Sequence, residues 1–443
     1  MKKERIANCL LNYARSGAVR VHMPGHKGEG EGLLQSVYAY DITELSFSDN
    51  LSSPTGVILK AEEDISLICS SNRSRILTGG STLGVLAMIY AVKNRGKKML
   101  VQRTSHKSVF NALELLGIEP VILNEKTKNG LILPEFENEE LFESSDSELI
   151  GALLTSPDYF GRALNLKSIK QKLEKNNKLL LVDGAHGGHF VYENKELYAG
   201  NYAHIWVDGA HKTYQTLTQG AILNINDLSL LSVVEEGLNI FSTSSPSYLI
   251  MASVESGIKN FPLHKRKNAR SFNKAKQILQ NGIKDCGFDL LPCDDNLKVT
   301  LDLCGLANGL RVGRQLEKAG VFAELVSENY ILFMLSYSFN EESALKIIQV
   351  LKCVKLAKNS KKKTEYLLPT RKLSYKNAKA QESEWVNLKD ACGRICALNA
   401  GVFPPCYPII TAGEVFDNSV IDALLVKNTF GKENNKVKVI KEK

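Results

Sequence analysis

Between residues 75 and 223 the chain alternates two hydrophobic patterns. Short, almost wholly apolar runs at 75–78, 99–101, 121–123, 152–155, 179–182, 205–207 and 221–223 read as strands. Longer amphipathic stretches separate several of them, such as 82–94 and 166–175, and read as helices. Strand alternating with helix implies an α/β fold with a mostly parallel sheet covered on both faces. Ligands of such sheets sit beyond the carboxyl ends of the strands. Residues 248–280 then read as long helices, and a smaller βαβ-like unit follows with strands at 297–303 and 331–335 and helices at 306–319 and 342–354. The prolines in 403–408 argue against regular structure there. The organisation expected is an N-terminal segment 1–50, a large domain 51–290 and a smaller α+β C-terminal part 291–443 with a basic linker at 355–372.

Composition narrows the class. The chain has 443 residues, 44% hydrophobic and 23% charged, which suits a globular protein. The net charge of +8 is concentrated in 358–372 and 432–443, read as a solvated linker and a frayed tail. No nucleic-acid-binding motif accompanies these lysines, so no nucleic-acid partner is expected. The nine cysteines are odd in number and scattered, and Cys392 and Cys396 have no second pair at metal-binding spacing. No run of about 18 apolar residues is present, and the first residues lack a signal-peptide core, so a cytoplasmic protein without membrane contact is expected.

Five residues occur twice: Val182-Asp183-Gly184-Ala185-His186 and Val207-Asp208-Gly209-Ala210-His211, the second running on into Lys212. Nothing longer recurs, so this is no repeat architecture. Both copies begin at a strand end. Other strand ends carry Gly79-Gly80-Ser81-Thr82, where glycines, a Ser81 cap and a helix N-terminus make an anion site, and His106, which can stack on a ring or handle a proton. A buried carboxylate such as Asp183 needs a partner, and a desolvated Lys212 can attack a carbonyl. An anion cradle, a ring-stacking group, a carboxylate and a lysine are together what pyridoxal 5'-phosphate requires.

In these residues the chain resembles the Orn/Lys/Arg decarboxylases, in a short form. The likeness is carried by His22-Met23-Pro24-Gly25-His26-Lys27-Gly28, Asp41-Ile42-Thr43-Glu44-Leu45, Gly80-Ser81-Thr82, Ser105-His106-Lys107-Ser108, Ser156-Pro157-Asp158-Tyr159-Phe160-Gly161, Asp183-Gly184-Ala185-His186-Gly187, His211-Lys212 and Ser244-Ser245-Pro246-Ser247-Tyr248. The resemblance implies a pyridoxal-phosphate-dependent transferase fold (fold type I) in a homodimer, and decarboxylation of arginine, lysine or ornithine. Lys212 would bond the cofactor's aldehyde, Asp183 would hold its ring nitrogen protonated, Ala185 and His106 would cover its two faces, and His186 would line the cofactor site. Gly80, Ser81, Thr82 and His211 would bind its phosphate, with Ser244 and Ser245 reaching that of the neighbouring subunit. Asp49, Tyr159 and Glu414 are candidates for the substrate's distal nitrogen. Three departures stand out: Gly209 where the family commonly has serine, Cys406 where it has glycine, and Ala412 where it has proline.

Other chemistries fit parts of the pattern. Aminotransfer or a lyase reaction could use the same cofactor site. A metallohydrolase could use Asp183, His186 and His189, with His204. A basic binding protein with a decayed site is a third reading, motivated by Gly209 and Cys406.

Overall fold

The computed structural model describes residues 4–128, 131–357, 368–403, 406–425 and 428–442. Its centre is a seven-stranded sheet built from β1 (Arg73–Leu77), β2 (Lys98–Gln102), β3 (Glu119–Leu123), β6 (Leu149–Thr155), β7 (Leu179–Gly184), β8 (Ile205–Asp208) and β9 (Ala221–Ile225). A small hairpin of β4 (Glu125–Lys128) and β5 (Leu131–Phe136) stands beside it. The strand order is β1-β9-β8-β7-β6-β2-β3. Every pairing among β8, β7, β6, β2 and β3 is parallel, and β9 runs antiparallel to both its neighbours.

The apolar runs have no polar alternation because both faces are covered. On one face Leu180, Val182, Trp206 and Ile222 join a core with α1 (Arg5–Ala14), α2 (Val57–Cys69) and part of the long helix described below. On the other, Leu181, Val207 and Leu223 pack with α3 (Gly80–Val92), α4 (Lys107–Leu115) and the helix Leu231–Phe241. Helix α3 is apolar nearly all round, since it is sandwiched between the sheet and Leu231–Phe241.

All seven strands expected from the sequence are present in this sheet. The long helices expected over 248–280 are one helix, Tyr248–Asp285, of 38 residues with Pro262 inside it. Proline cannot donate to the carbonyl four residues back. Here that carbonyl, of Ile258, accepts a hydrogen bond from the Tyr192 hydroxyl at 2.9 Å.

Three expectations for the C-terminal part are corrected. The βαβ-like unit is antiparallel: Lys298–Asp302 pairs antiparallel with Tyr330–Met334, because the two-residue strand Leu325–Val326 turns back on Tyr330–Met334 and reverses the chain. The tail is not frayed. Lys436–Ile440 pairs with Ser383–Asn387 and with Lys432–Glu433, and Val437 and Val439 are fully buried. The reversal before it uses Asn434 and Asn435 at φ 47° and 62°, the left-handed conformation that asparagine tolerates in tight hairpins. Pro408 begins the strand Pro408–Ile410, the position where a missing N–H is tolerated. Most of the basic linker, 358–367, and Pro404 and Pro405 lie outside the described residues.

The two VDGAH copies lie side by side. Val182 pairs with Trp206, Asp183 with Val207 and Gly184 with Asp208 on the parallel strands β7 and β8. Past the strand ends they close further: a Cβ on Gly209 would stand 2.5 Å from the Ala185 carbonyl oxygen. Gly209→Ser therefore forces these backbones apart. We expect it to lower unfolding free energy by about 1–3 kcal/mol in a denaturant titration, and an unchanged midpoint would contradict this packing.

Candidate active site

The carboxyl ends of β1, β2, β6, β7 and β8 and the loop leading into the antiparallel β9 open on one cleft of about 420 Å3. Gly80, His106, Thr155, Asp183 and Lys212 line it, each from a different strand end. The topology thus gathers into one place residues up to 132 positions apart (212 − 80).

At one end lies the N-terminus of α3. Its N-cap is Gly79, with no side-chain capping bond. The expected Ser81 cap is not formed, because the helix starts at Gly80 and Ser81 already sits in its first turn. The Gly80 N–H donates to the Gln219 carbonyl at 2.7 Å. Ser81 and Thr82 line the cleft together with Thr218 and Gln219. An uncapped N-terminus with hydroxyls beside it suits a phosphate group.

His106 is the N-cap of α4, and its Nδ1 lies 2.8 Å from the Ser108 hydroxyl and 3.2 Å from the Ser108 N–H. The imidazole also lines the cleft. Burial, reinforced by Lys212 and Lys107, pushes its pKa down to about 4, so it is neutral at physiological pH. A neutral imidazole is the form suited to lie against an aromatic ring.

Asp183 is the last residue but one of β7 and is 4% exposed. Its Oδ1 accepts the Ala185 N–H at 3.1 Å. Burial raises its pKa, and Lys212 pulls it back down. A protonated ring nitrogen in the cleft would stabilise its ionised form. Lys212 lies in the short helix Ala210–Thr213 after β8, and burial lowers its pKa against the opposing pull of Asp183 and Glu324. Its Nζ is 3.1 Å from His186 Nε2. His211 lines the cleft and its Nδ1 meets the Gly220 carbonyl at 2.9 Å. A phosphate cradle, a neutral imidazole, a carboxylate and a desolvated amine around one volume are a donor set that fits pyridoxal phosphate.

The structure does not bring every candidate here. Asp49 is a helix-capping residue: its carboxylate accepts the N–H groups of Gly56, Ile58 and Leu59 at the start of α2, at 2.7, 3.0 and 3.3 Å. Glu414 is fully buried and faces arginines, at 2.6 Å from Arg103 and 3.2 Å from Arg371. Neither lines the cleft. Ser244 and Ser245 are exposed on the loop before Tyr248–Asp285 and lie outside this protomer's cleft. His189 pairs with Asp295 at 2.8 Å, and His204 Nδ1 accepts the Leu180 N–H at 3.0 Å, so the histidines weighed as metal ligands serve separate partners.

Tyr159 does line the cleft, and its hydroxyl donates to Glu324 at 2.7 Å. Glu324 was not singled out from sequence. It comes from the small C-terminal unit and no local motif marks it. Thr218, Gln219 and Glu125 were missed as well, and of these only Thr218-Gln219, directly before β9, carried a positional signal. Cys406 also faces the cleft, buried and at φ 70°, a conformation in which glycine is unstrained and cysteine is not. Its carbonyl accepts the Lys107 N–H at 2.8 Å, fixing it beside the start of α4.

The chain is similar to known proteins. The Orn/Lys/Arg decarboxylase major domain matches residues 6–286, and the C-terminal domain of the same family matches 355–434. The protein YaaO of Bacillus subtilis (strain 168) is 31% identical over 97% of this chain and 96% of its own length. An arginine decarboxylase of Bacillus anthracis is 27% identical over 92% of this chain and 89% of its own. The crystal structure of the Francisella novicida lysine decarboxylase LdcF superposes with a TM-score of 0.81, covering 99% of this chain and 81% of that one at 19% identity, a likeness of fold.

The placement of Glu414 has a measurable consequence. Removing one partner of a buried ion pair strands the other charge, at a cost of about 3–5 kcal/mol. Glu414→Ala should lower stability by that amount in chemical denaturation. A loss below about 1 kcal/mol would contradict this buried pairing.

Proposed function

The chain belongs to the Orn/Lys/Arg decarboxylase family of pyridoxal-phosphate-dependent enzymes, and we propose that it decarboxylates a basic amino acid at the cleft between Lys212, Asp183 and His106. The observation that carries this reading is the convergence of five strand ends on one volume, with a buried amine and a buried carboxylate both lining it. The reaction is R–CH(NH3+)–CO2− + H+ → R–CH2–NH3+ + CO2.

Pyridoxal phosphate, when bound, supplies the electron sink for the pair left on the α-carbon as carbon dioxide departs. The N-terminus of α3 with Ser81, Thr82 and His211 would hold its phosphate, and Ala185 and His106 would cover its ring. Lys212, kept toward the neutral amine by burial, is the group for its aldehyde. Asp183 keeps a proton at the ring nitrogen, since an ionised carboxylate in so buried a position is stable only against a cation. The pair Tyr159–Glu324 places a carboxylate on the wall of the cleft, which suits the distal cation of arginine, lysine or ornithine. Cys406 adds a thiol to the same wall where a glycine would leave space.

The homodimer is part of this proposal. The segment from Val19 to Phe47 exposes Val19, Val21 and Leu33 at 86%, 88% and 97%, together with Met23, Leu34 and Phe47. Six exposed apolar side chains in one segment suit a surface that a second copy covers. Ser244 and Ser245, exposed and outside their own cleft, are free to serve a partner's phosphate.

The test is direct. Purified protein with pyridoxal phosphate, offered arginine, lysine and ornithine separately, should release carbon dioxide with agmatine or the matching diamine. Lys212→Ala should abolish this, and Glu324→Gln should raise KM about tenfold through loss of one charged hydrogen bond. A keto acid product, or an unchanged KM in Glu324→Gln, contradicts the respective assignment. For the assembly, Val21→Asp with Leu33→Asp should convert a dimer to a monomer in sedimentation, and a parent protein that is already monomeric would refute the interface.

A further inference from the structure

Decarboxylation consumes a proton at one defined atom. The C–C bond breaks, its electron pair stays on the α-carbon, and a C–H bond must replace it there. A proton delivered elsewhere gives a wrong product. The chain therefore needs a proton source beside the reacting carbon, and the surroundings of Lys212 supply a specific one.

His186 follows Ala185 at the end of β7 and is 5% exposed. Its Nε2 lies 3.1 Å from the Lys212 amine. The Tyr159 ring holds it edge-on, with centroids 5.1 Å apart and planes at 71°. Its Nδ1 is buried and has no hydrogen-bond partner among the described residues. The groups facing it are Lys212, Lys298, His106, His189 and Tyr159. Burial, and then the ammonium groups of Lys298 and Lys212, push its pKa well below the usual histidine value. The ring is thus a neutral imidazole, free to accept one proton at one nitrogen and give it back from the same place.

Resting on the reading that this chain decarboxylates an amino acid, we propose that His186 is the proton carrier of Lys212. It takes up the proton shed by the substrate's ammonium group as the substrate enters. After carbon dioxide leaves, His186 Nε2–H passes that proton to the neutral Lys212 amine 3.1 Å away, and the Lys212 ammonium so formed gives a proton to the α-carbon, which leaves both groups neutral. The proton shed on entry is thus matched by the one placed on the carbon through Lys212, and the proton the overall reaction consumes is drawn from solvent when the amine product leaves as ammonium. His186 acts through Lys212 and is a positioning residue in that sense. The orphan Nδ1 keeps the ring able to change tautomer, which a nitrogen locked to a carboxylate, as in the His189–Asp295 pair, is not.

Two variants test this in the full chain. In cofactor-free protein, competitive labelling of Lys212 with acetic anhydride across pH reports its basicity. His186→Phe should move the labelling midpoint by at least about half a pH unit to lower pH, since the ammonium loses its acceptor. His186→Gln, whose amide oxygen can accept the same bond, should keep the parent midpoint. With pyridoxal phosphate and substrate added, both variants should give at least tenfold more aldehyde, R–CHO, per carbon dioxide, the product of protonation on the wrong carbon. His186→Gln carries the test should the phenylalanine variant fail to fold. An unmoved midpoint in His186→Phe, or the parent's aldehyde ratio in both variants, overturns the proton-carrier role while decarboxylation stands. A parent protein that releases no carbon dioxide overturns the decarboxylase reading and the proton step with it.

Discussion

Asp183 near the end of β7 and Lys212 in the turn just past β8 are an acid and a base withdrawn from water side by side, and much of this structure follows from keeping them there. Burial alone pushes each toward its neutral form, while each pulls the other back toward charge. A site poised in this way needs rigid support, because a small displacement shifts the balance. The parallel pairing of β7 with β8 provides that support, and the approach of Gly209 to Ala185 continues it past the strand ends. The antiparallel β9 then brings Thr218 and Gln219 back to the same edge, so the turn that carries Lys212 is anchored at both ends in the sheet.

The sequence was legible where burial is two-sided. Strands covered on both faces appear as bare apolar runs, and the seven of the central sheet were found that way. The reversal at Leu325–Val326 was not, because two residues have no periodicity. The tail was misread because its lysines dominate its composition, although Val437 and Val439 alternate as a half-buried strand must. Pro262 inside Tyr248–Asp285 left no mark of the hydroxyl that compensates it.

The candidate site shows the same division. Lys212, Asp183 and His106 stand at strand ends, where topology predicts a ligand, and the fold places all three on one cleft. Asp49 and Glu414 were chosen for charge, and charge does not say what a carboxylate faces. One faces backbone N–H groups and the other faces Arg103 and Arg371. Glu324 could not be found locally, since only the docking of the small unit against Tyr159 brings it to the cleft. The buried Arg103–Glu414 pair ties the C-terminal segment to the end of β2, three residues before His106. Through it, and through the Cys406 carbonyl on Lys107, the last part of the chain holds the start of α4 in place.

The bond from Tyr192 to the Ile258 carbonyl carries a lesson about inheritance. The carbonyl lacks its helical donor because residue 262 is proline, and the Tyr192 hydroxyl takes that donor's place. Losing Tyr192 while proline stays at 262 strands the carbonyl, so descendants that keep the proline should keep a donor at 192. A lineage with alanine at 262 satisfies the carbonyl within the helix, so position 192 there is released from the need to donate.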